Sequence, residues 1–322
     1  MLDQYAGRMS FLELTGATLT ERVPCEENKH LIARRGTRMT TISELRSMYV
    51  DLLNASLRNE FYRGGMPSPT PSELEECAQA LERVRSKYGD RVTDAFPGAQ
   101  LMLGLEPVQM WPLLCDNSPP ARTLLSRERL DNVQSCIENV LRDAVPGDLM
   151  EAGVWKGGTT IFMRGVLKAH GVTDRKVWVV DSFAGLPSPD PDLALDDAIA
   201  HELLSAVKHF SVSLEEVRAN FASHGLLDEQ VVFLKGWFKD TLPGAPVSQL
   251  ALLRLDGDYY ESTRDALESM YPKVSVGGYI IIDDYGQPIG CRQAVDEYRR
   301  EHGIEDVIER VDEFAVFWRR TR

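Results

Sequence analysis

The stretch DLMEAGVWKGGTTIFMRGVLKAHGVTDRKVWVVD (148–181) decides the fold. DLMEAG (148–153) predicts a short apolar strand, residues 158–170 have helical spacing, and KVWVVD (176–181) predicts a second strand. The alternation continues through three more apolar segments, QVVFLKG (230–236), QLALLRLDGD (249–258) and GYIIIDDY (278–285). Strands that alternate with helices form parallel pairs with the helices packed on both faces. The sequence therefore predicts an α/β fold with a mostly parallel, doubly wound sheet.

The flanking segments complete the predicted domain organisation. VIERVDEFAVFWRR (307–320) predicts a C-terminal hairpin, and residues 42–58 and 72–88 have the apolar spacing of helices. Five prolines argue against long helices over 94–125, and residues 1–40 show no periodicity. We therefore expect an N-terminal arm (1–40), a helical and irregular region that contributes to a substrate mouth or an oligomer contact (41–125), and a main domain (126–322).

The composition excludes several classes of protein. With 43% apolar and 26% charged residues, the chain is an ordinary globular protein. Its net charge of −13 disfavours nucleic acid as a partner, because an acidic chain repels phosphate backbones. It has no apolar run long enough to span a membrane, and its first ten residues lack a secretion signal, so we expect a cytoplasmic protein. Its five cysteines form no C-x-x-C pair, which argues against a zinc site or a redox pair.

Carboxylates stand at the ends of four of the five predicted parallel strands. The carboxyl ends of parallel strands meet at one edge of the sheet, where ligands bind in folds of this type. We expect these acids to converge there: Glu151, Asp181, Asp256, Asp283 and Asp284. One such acid is typical of a helix cap, but several on neighbouring strands repel one another unless a cation intervenes. The all-oxygen set in Asp256-Gly257-Asp258 and Asp283-Asp284 therefore predicts a Mg²⁺ site.

The turn after the first strand carries an acid and two glycines spaced E-x-G-x-x-x-G, at Glu151, Gly153 and Gly157. A dinucleotide-binding turn has G-x-G-x-x-G with a pyrophosphate at the helix start, where an acid is unfavourable. The acid suits a positively charged ligand, and S-adenosylmethionine carries both an ammonium and a sulfonium. Asp181 at the next strand tip is placed to bind ribose hydroxyls. These two acids alone do not separate a methyltransferase from a dehydrogenase.

Two further features lie beside the same edge. Trp237 follows Gly236 at the end of the third strand and could stack on an adenine ring, although a lone aromatic is more often a core residue. The proline-rich segment 186–210 interrupts the alternation after the second strand and predicts a lid. His201 and His209 lie on this segment. Each histidine is more often a surface or packing residue, but a lid would place both near the chemistry.

The chain resembles the macrocin O-methyltransferases of the TylF/MycF type, which act on sugars of macrolides and aminocoumarins. The resemblance is looser over 42–112 and is carried by five blocks: RLDNVQSCIENVLRDAVPGDLMEAGVWKGG (129–158), VVDSFAGLPSPDPD (179–192), VSLEEVRANFASHGLLDEQVVFLKGWFKDTLP (212–243), LRLDGDYYEST (253–263) and YPKVSVGGYIIIDDYG (271–286). It implies a class I (Rossmann-like) methyltransferase with a seven-stranded sheet, a C-terminal antiparallel hairpin and an N-terminal helical extension. The domain over 126–322 would then bind S-adenosylmethionine and Mg²⁺.

The resemblance also implies roles for individual residues. Asp256, Asp283 and Asp284 would hold the metal, and Asp256 would act as the base. A histidine of the predicted lid, His201 or His209, is the alternative base that its position in the sequence suggests. The S-adenosylmethionine pocket would be lined by Glu151, Gly153, Val154, Gly157, Thr159, Asp181, Ser182, Phe183, Gly236, Trp237 and Asp256. The family further implies a homo-oligomer that methylates a deoxysugar hydroxyl of a natural-product glycoside in antibiotic biosynthesis.

Three alternatives remain open at this point. A nicotinamide-dependent oxidoreductase predicts G-x-G-x-x-G, which the sequence lacks. A metal-dependent methyltransferase of a phenol or catechol commonly has a lysine soon after the metal-binding acid, whereas this chain has Asp258-Tyr259-Tyr260. A non-catalytic S-adenosylmethionine-binding scaffold is the third alternative, and the intact set of acids argues against it.

Overall fold

The computed structural model describes residues 41–61, 69–92, 106–108, 121–205, 210–287 and 290–322. The predicted arm (1–40) and most of 94–125 lie outside these residues. The described part from Ser43 onward belongs to one compact unit.

Among the described residues, two helices lie in the region before Arg127, as the apolar spacing predicts. They are α1 (Ile42–Leu57) and α2 (Pro71–Tyr88). Thr70 caps α2, since its hydroxyl accepts the N–H of Glu73 while the Glu73 carboxylate accepts the N–H of Thr70. Arg46 of α1 donates to the carbonyl of Ala169 at 2.9 Å, which ties this helix to the main domain.

Strands and helices alternate from Arg127 to the C-terminus. In chain order the elements are α3 (Arg127–Arg142), β1 (Asp148–Ala152), α4 (Gly158–Ala169), β2 (Val177–Asp181), α5 (Leu195–Leu204), α6 (Leu214–Ser223), β3 (Val231–Lys235), α7 (Phe238–Thr241), β4 (Leu250–Leu255), α8 (Tyr260–Met270), β5 (Val274–Ile282), α9 (Cys291–Glu301), β6 (Glu309–Arg310) and β7 (Val316–Arg319). The sequence analysis did not predict α5 or the single-turn α7. Neither helix is long enough to show a clear apolar period, and α5 follows a proline-rich segment.

The sheet has seven strands in the order β3-β2-β1-β4-β5-β7-β6. The strands β1 to β5 are parallel, and β7 is antiparallel to both β5 and β6. This confirms the predicted doubly wound sheet and its C-terminal hairpin. The chain order reverses between β1 and β4, and such a switch point opens a crevice at the carboxyl ends of the strands.

The core has two layers because neighbouring strand residues point to opposite faces. Leu149 of β1 packs in one apolar cluster with Ile137 of α3 and Phe162 of α4. Met150, the next residue, packs in the other cluster with Met270 of α8. The sheet is therefore covered on both faces, which leaves the carboxyl ends of its parallel strands as the place for a ligand.

The strand β5 begins at Val274, four residues before its predicted start of 278. Gly277 and Gly278 interrupt the apolar run and hide this beginning. The pairing of β4 with β5 is irregular here, because Leu250 pairs with Val274 whereas Leu252 pairs with Tyr279. Gly277 lies within this irregular part of the strand and has φ +87°, a conformation that glycine adopts readily.

None of the described helices is both long and apolar enough to cross a membrane.

Candidate active site

A cavity of about 1290 Å³ lies at the carboxyl ends of the parallel strands. The ends of all five parallel strands contribute residues to it, as do the C-terminal hairpin and the segment 186–210. Ligand pockets for small molecules commonly span about 300–1,000 Å³. The cavity is therefore large enough for two ligands side by side.

Gly153 brings the ends of β1 and β4 together. Its φ is +90°, and a Cβ at this position would lie 1.7 Å from the carbonyl oxygen of Asp256. Its N–H donates to the carbonyl of Val180 at 2.9 Å. Only glycine allows this approach, so the turn that follows β1 directly adjoins the loop that carries Asp256.

The carboxylate of Asp181 organises the turns after β1 and β2. Its Oδ2 accepts the N–H of Val154 at 2.8 Å, and its Oδ1 accepts the N–H of Phe183 at 2.8 Å. Burial raises the pKa of Asp181, and the backbone donors oppose this effect. Asp181 lines the cavity and retains acceptor capacity toward it, because each carboxylate oxygen can accept more than one hydrogen bond.

Asp256, Asp283 and Asp284 form the cluster that the strand tips predict. Each offers a carboxylate oxygen, and these three oxygens lie within 4.8 Å of one another. Burial raises the pKa of Asp256 to about 6 and raises the pKa of Asp284 well above its usual range, with the neighbouring carboxylates adding to both shifts. A divalent cation would relieve this repulsion. The all-oxygen donor set therefore fits Mg²⁺.

Asp258 adjoins this cluster but is held differently. It has φ +57°, and its backbone N–H donates to Asp284 Oδ2 at 3.1 Å. Burial and the charges of Asp256 and Asp283 raise the pKa of the Asp258 carboxyl well above its usual range. Its backbone thus helps to orient Asp284.

Arg254 is the central cation of the site, and the sequence analysis missed it. The side chain is fully buried on β4, and its Nη1 donates to Glu151 and, at 2.8 Å, to Asp256 Oδ2. Its Nη2 lies 2.5 Å from Asp283 Oδ1 in a further ion pair. Its position inside the apolar run QLALLRLDGD (249–258) is the signal that could have found it. A charged side chain in a buried strand is nearly always paired, so an arginine there predicts acidic partners nearby.

Glu151 has an environment that favours its protonated form. Burial raises its pKa to about 8, although Arg254 opposes the shift. Its Oε2 is buried and has no hydrogen-bond partner among the described residues, and Glu151 lines the cavity. A cationic ligand at this oxygen would stabilise the carboxylate.

Arg129 of α3 is a second cation that the sequence analysis missed. Its Nη1 donates to Asp283 Oδ2 at 2.6 Å, and its Nε donates to Asp312 Oδ2 at 2.6 Å. Asp312 lies in the hairpin, so Arg129 links three distant parts of the chain. No local pattern predicts such a contact, because the three residues meet only in the folded protein.

The residues predicted to bind S-adenosylmethionine divide into two groups. Those that line the cavity are Glu151, Gly153, Val154, Thr159, Asp181, Ser182, Trp237 and Asp256. Gly157, Phe183 and Gly236 are not among the described residues that line the cavity. Gly157 packs against α6, where a Cβ would lie 2.7 Å from Val217 Cγ1, and the N–H of Gly236 donates to the carbonyl of Asp181 at 2.9 Å. These two glycines shape the turns that carry the lining residues.

The predicted lid contains α5, which presents Ala200, Leu203 and Leu204 to the cavity. His201 lies on the same helix but outside the described lining, with its ring 6.2 Å from that of Tyr259 in an edge-on contact. Burial lowers the pKa of His201. His209 lies outside the described residues. A catalytic role for either histidine stays a prediction.

The fold and the site together define a class of enzyme. A seven-stranded sheet in this order, with an antiparallel last pair and a cavity at the strand ends, is the class I methyltransferase architecture. The chain belongs to the macrocin O-methyltransferase (TylF) family, whose model matches residues 46–320. It is therefore an O-methyltransferase, and the family resemblance predicted from the sequence is confirmed.

Curated relatives support this assignment. The chain is 46% identical over 279 residues to the 8-demethyl-8-(2,3-dimethoxy-alpha-L-rhamnosyl)-tetracenomycin-C 4'-O-methyltransferase of Streptomyces olivaceus, covering 86% of this chain and 94% of the relative. It is 54% identical over 203 residues to the demethyldecarbamoylnovobiocin O-methyltransferase of Streptomyces niveus, covering 63% and 77%. It is 51% identical over 202 residues to the mycinamicin III 3''-O-methyltransferase of Micromonospora griseorubida, covering 62% and 79%.

A solved structure supports the fold. That of the O-methyltransferase NovP matches with a TM-score of 0.68 and 42% sequence identity, covering 86% of this chain and 100% of that chain.

Proposed function

We propose that the protein is a Mg²⁺-dependent O-methyltransferase that moves the methyl group of S-adenosylmethionine to a deoxysugar hydroxyl of a natural-product glycoside in antibiotic biosynthesis. The observation that carries the proposal is the position of the Asp256, Asp283 and Asp284 cluster, beside the glycine turn and in the same cavity. The Streptomyces olivaceus relative is named for a rhamnosyl-tetracenomycin, which supports a deoxysugar glycoside as the acceptor. The relatives named for novobiocin and mycinamicin support a macrolide- or aminocoumarin-like glycoside.

Residues at the ends of β1, β2 and β3 would bind the methyl donor. Asp181 would accept hydrogen bonds from the ribose hydroxyls, and Trp237 would stack on the adenine. Glu151, whose buried Oε2 lacks a partner among the described residues, would face the positively charged end of the donor. These contacts would orient the donor so that its methyl group points toward the acidic cluster.

Asp256, Asp283 and Asp284 would hold Mg²⁺, with Arg254 and Arg129 keeping the carboxylates in place. The bound ion would lower the pKa of an acceptor hydroxyl and orient it toward the methyl group. Asp256 is the best-placed base, because it adjoins Gly153 of the donor turn and lines the same cavity. Methyl transfer of this kind requires no nucleophilic serine or cysteine.

We further propose that the enzyme works in the cytoplasm as a homo-oligomer. One face of α1 supports an oligomer, because Ile42, Leu45, Met48 and Leu52 are 55–78% exposed there. Contiguous exposed apolar residues are typical of protein interaction sites. Light scattering of the purified protein tests this point, and a monomeric mass would contradict it.

Mass spectrometry of the reaction products tests which class of molecule accepts the methyl group. The protein is incubated with S-adenosylmethionine, Mg²⁺ and one of three acceptors: a deoxysugar glycoside of a macrolide or aminocoumarin, the matching aglycone, or a catechol. We expect one added methyl group on the glycoside and none on the aglycone. Methylation of the catechol without methylation of any glycoside would overturn the proposed substrate class.

A further inference from the structure

One side chain of the predicted lid accepts hydrogen bonds from two residues, each of which follows one of the loops that carry the cluster of acids. Asp197 lies on α5 and is 0% exposed. Its Oδ2 accepts the N–H of Tyr260 at 2.6 Å, and its Oδ1 accepts the N–H of Gly290 at 2.7 Å. Tyr260 follows the loop of Asp256, and Gly290 follows the loop of Asp283 and Asp284. A single carboxylate thus joins three segments that are distant in sequence.

Asp197 also supplies a cap that two helices otherwise lack. Tyr260 is the first residue of α8, and Gly290 immediately precedes α9. The residues at the N-cap positions, Tyr259 and Gly290, provide no side-chain hydrogen bond to their own helices. Both helix N-termini carry partial positive charge, which favours a carboxylate between them. The position of Asp197 is therefore fixed by both helices at once.

Gly290 makes this junction tight. A Cβ at Gly290 would lie 2.7 Å from Asp197 Oδ2 and 2.6 Å from the Cβ of Tyr260. Gly290 has φ −68°, which alanine adopts without strain. An alanine methyl group at this position is therefore excluded by contact with Asp197 and Tyr260, and not by the backbone conformation. An added methyl group would separate the three segments without removing any polar group.

The opposite side of α5 is held by α2. Glu202 lies 3.3 Å from Arg83 Nε and 2.8 Å from Lys87 Nζ. The same helix presents Leu203 to the cavity. A shift of α5 would therefore change the lining of the cavity as well as the contacts with the segments that follow the acidic loops.

We propose that Asp197 is a positioning residue that couples the lid to the metal-binding loops. Docking of α5 through Asp197 favours the arrangement of the two loops in which Asp256, Asp283 and Asp284 converge. By reciprocity, a cation held by these aspartates favours the docked lid. This inference rests on the proposed metal site and adds a link between that site and the lid.

Hydrogen exchange of the α5 amides, with and without Mg²⁺, tests the coupling. In the wild-type protein we expect Mg²⁺ to slow exchange by about 5- to 150-fold, the range typical of coupled sites. In Asp197→Asn the slowing should vanish, because an amide cannot accept both N–H groups with two oxygens. The Mg²⁺ affinity, measured by calorimetry, should fall by the same factor, whereas the S-adenosylmethionine affinity should stay within about twofold.

Asp196→Asn is the matched control. Asp196 is the preceding residue on the same helix and is half-buried, and its carboxylate makes no hydrogen bond to a described residue. Its exchange pattern and Mg²⁺ affinity should match those of the wild-type protein. Gly290→Ala provides the independent variant if Asp197→Asn fails to fold, and it should lose the Mg²⁺ effect on α5 while keeping every carboxylate.

The outcomes separate this inference from the proposed function. A wild-type protein that binds no Mg²⁺ would overturn the proposed metal site and this coupling with it. A wild-type protein that binds Mg²⁺, together with folded variants at Asp197 and Gly290 in which Mg²⁺ slows α5 exchange equally, would overturn the coupling alone.

Discussion

Arg254 donates to Asp256 at 2.8 Å from a fully buried position on β4. The same guanidinium pairs with Glu151 and Asp283, so one cation holds carboxylates from three neighbouring strand ends. A buried ion pair adds little net stability, but the removal of one partner leaves uncompensated charge. The acids are therefore kept close together by an internal counter-ion that belongs to the protein itself.

Replacement of Arg254 by methionine should lower the free energy of unfolding by about 3–5 kcal/mol, the usual cost of breaking a buried pair. Arg127→Met is the control, because Arg127 is half-exposed and pairs with the half-exposed Asp51 at 3.0 Å. That exposed pair should contribute at most about 1 kcal/mol. Denaturant unfolding of both variants measures the difference, and equal losses would argue against the central role of Arg254.

Gly153→Ala should be far more destabilising than Gly171→Ala. Both glycines have positive φ, but a Cβ at Gly153 would lie 1.7 Å from the Asp256 carbonyl oxygen, whereas Gly171 has open space. We expect a loss of about 1–2 kcal/mol at Gly171 from the backbone alone and more than about 3 kcal/mol at Gly153 from strain and overpacking. Thermal unfolding compares the two, and similar losses would show that the close approach of β1 and β4 is unimportant.

Asp181→Ala should weaken S-adenosylmethionine binding by about tenfold or more, because a hydrogen bond to a charged group contributes about 1.5–3 kcal/mol. The control is Asp174→Ala, an exposed aspartate before the opposite end of the same strand. Calorimetry with S-adenosylmethionine measures both affinities. An unchanged affinity in a folded Asp181→Ala protein would remove Asp181 from the ribose site.

Asp197 gives the stability a pH dependence whose sign follows from its pKa. Burial raises the folded-state pKa of Asp197 to about 6 from an ordinary 3.8. The charges of Asp196, Asp258 and Glu261 act in the same direction, and the N–H groups of Gly290 and Tyr260 oppose them. The folded state thus binds this proton more tightly than the unfolded state. The resulting stabilisation is complete below about pH 4 and is lost as the pH rises through about 6.

The loss amounts to about 3 kcal/mol for a shift of about two pKa units. Asp197→Asn lacks this titration, so the wild-type protein should lose stability relative to the variant across the same pH interval. Denaturant unfolding of both proteins at several pH values measures the difference. Parallel curves would contradict the raised pKa of Asp197.

The sequence predicted the parts of the molecule that depend on local pattern. Apolar strands and helical spacing predicted the parallel sheet and its C-terminal hairpin, and the acids at the strand tips predicted the cluster of Asp256, Asp283 and Asp284. The residues that hold this cluster were not predicted. Arg129 meets Asp283 and Asp312 only through tertiary packing, and Asp197 reaches Tyr260 and Gly290 across the lid. Such contacts join residues far apart in the chain, and no local period records them.

Methyl transfer after removal of divalent cations tests the central claim most directly. The claim is that neighbouring strand ends hold a divalent cation beside the methyl donor. The protein is treated with EDTA, given S-adenosylmethionine and a glycoside that the untreated protein methylates, and assayed before and after addition of Mg²⁺. We predict no methylation before the addition and recovery after it, with Asp284→Asn inactive in both cases although it binds S-adenosylmethionine. Methylation at the full rate in EDTA would contradict the account.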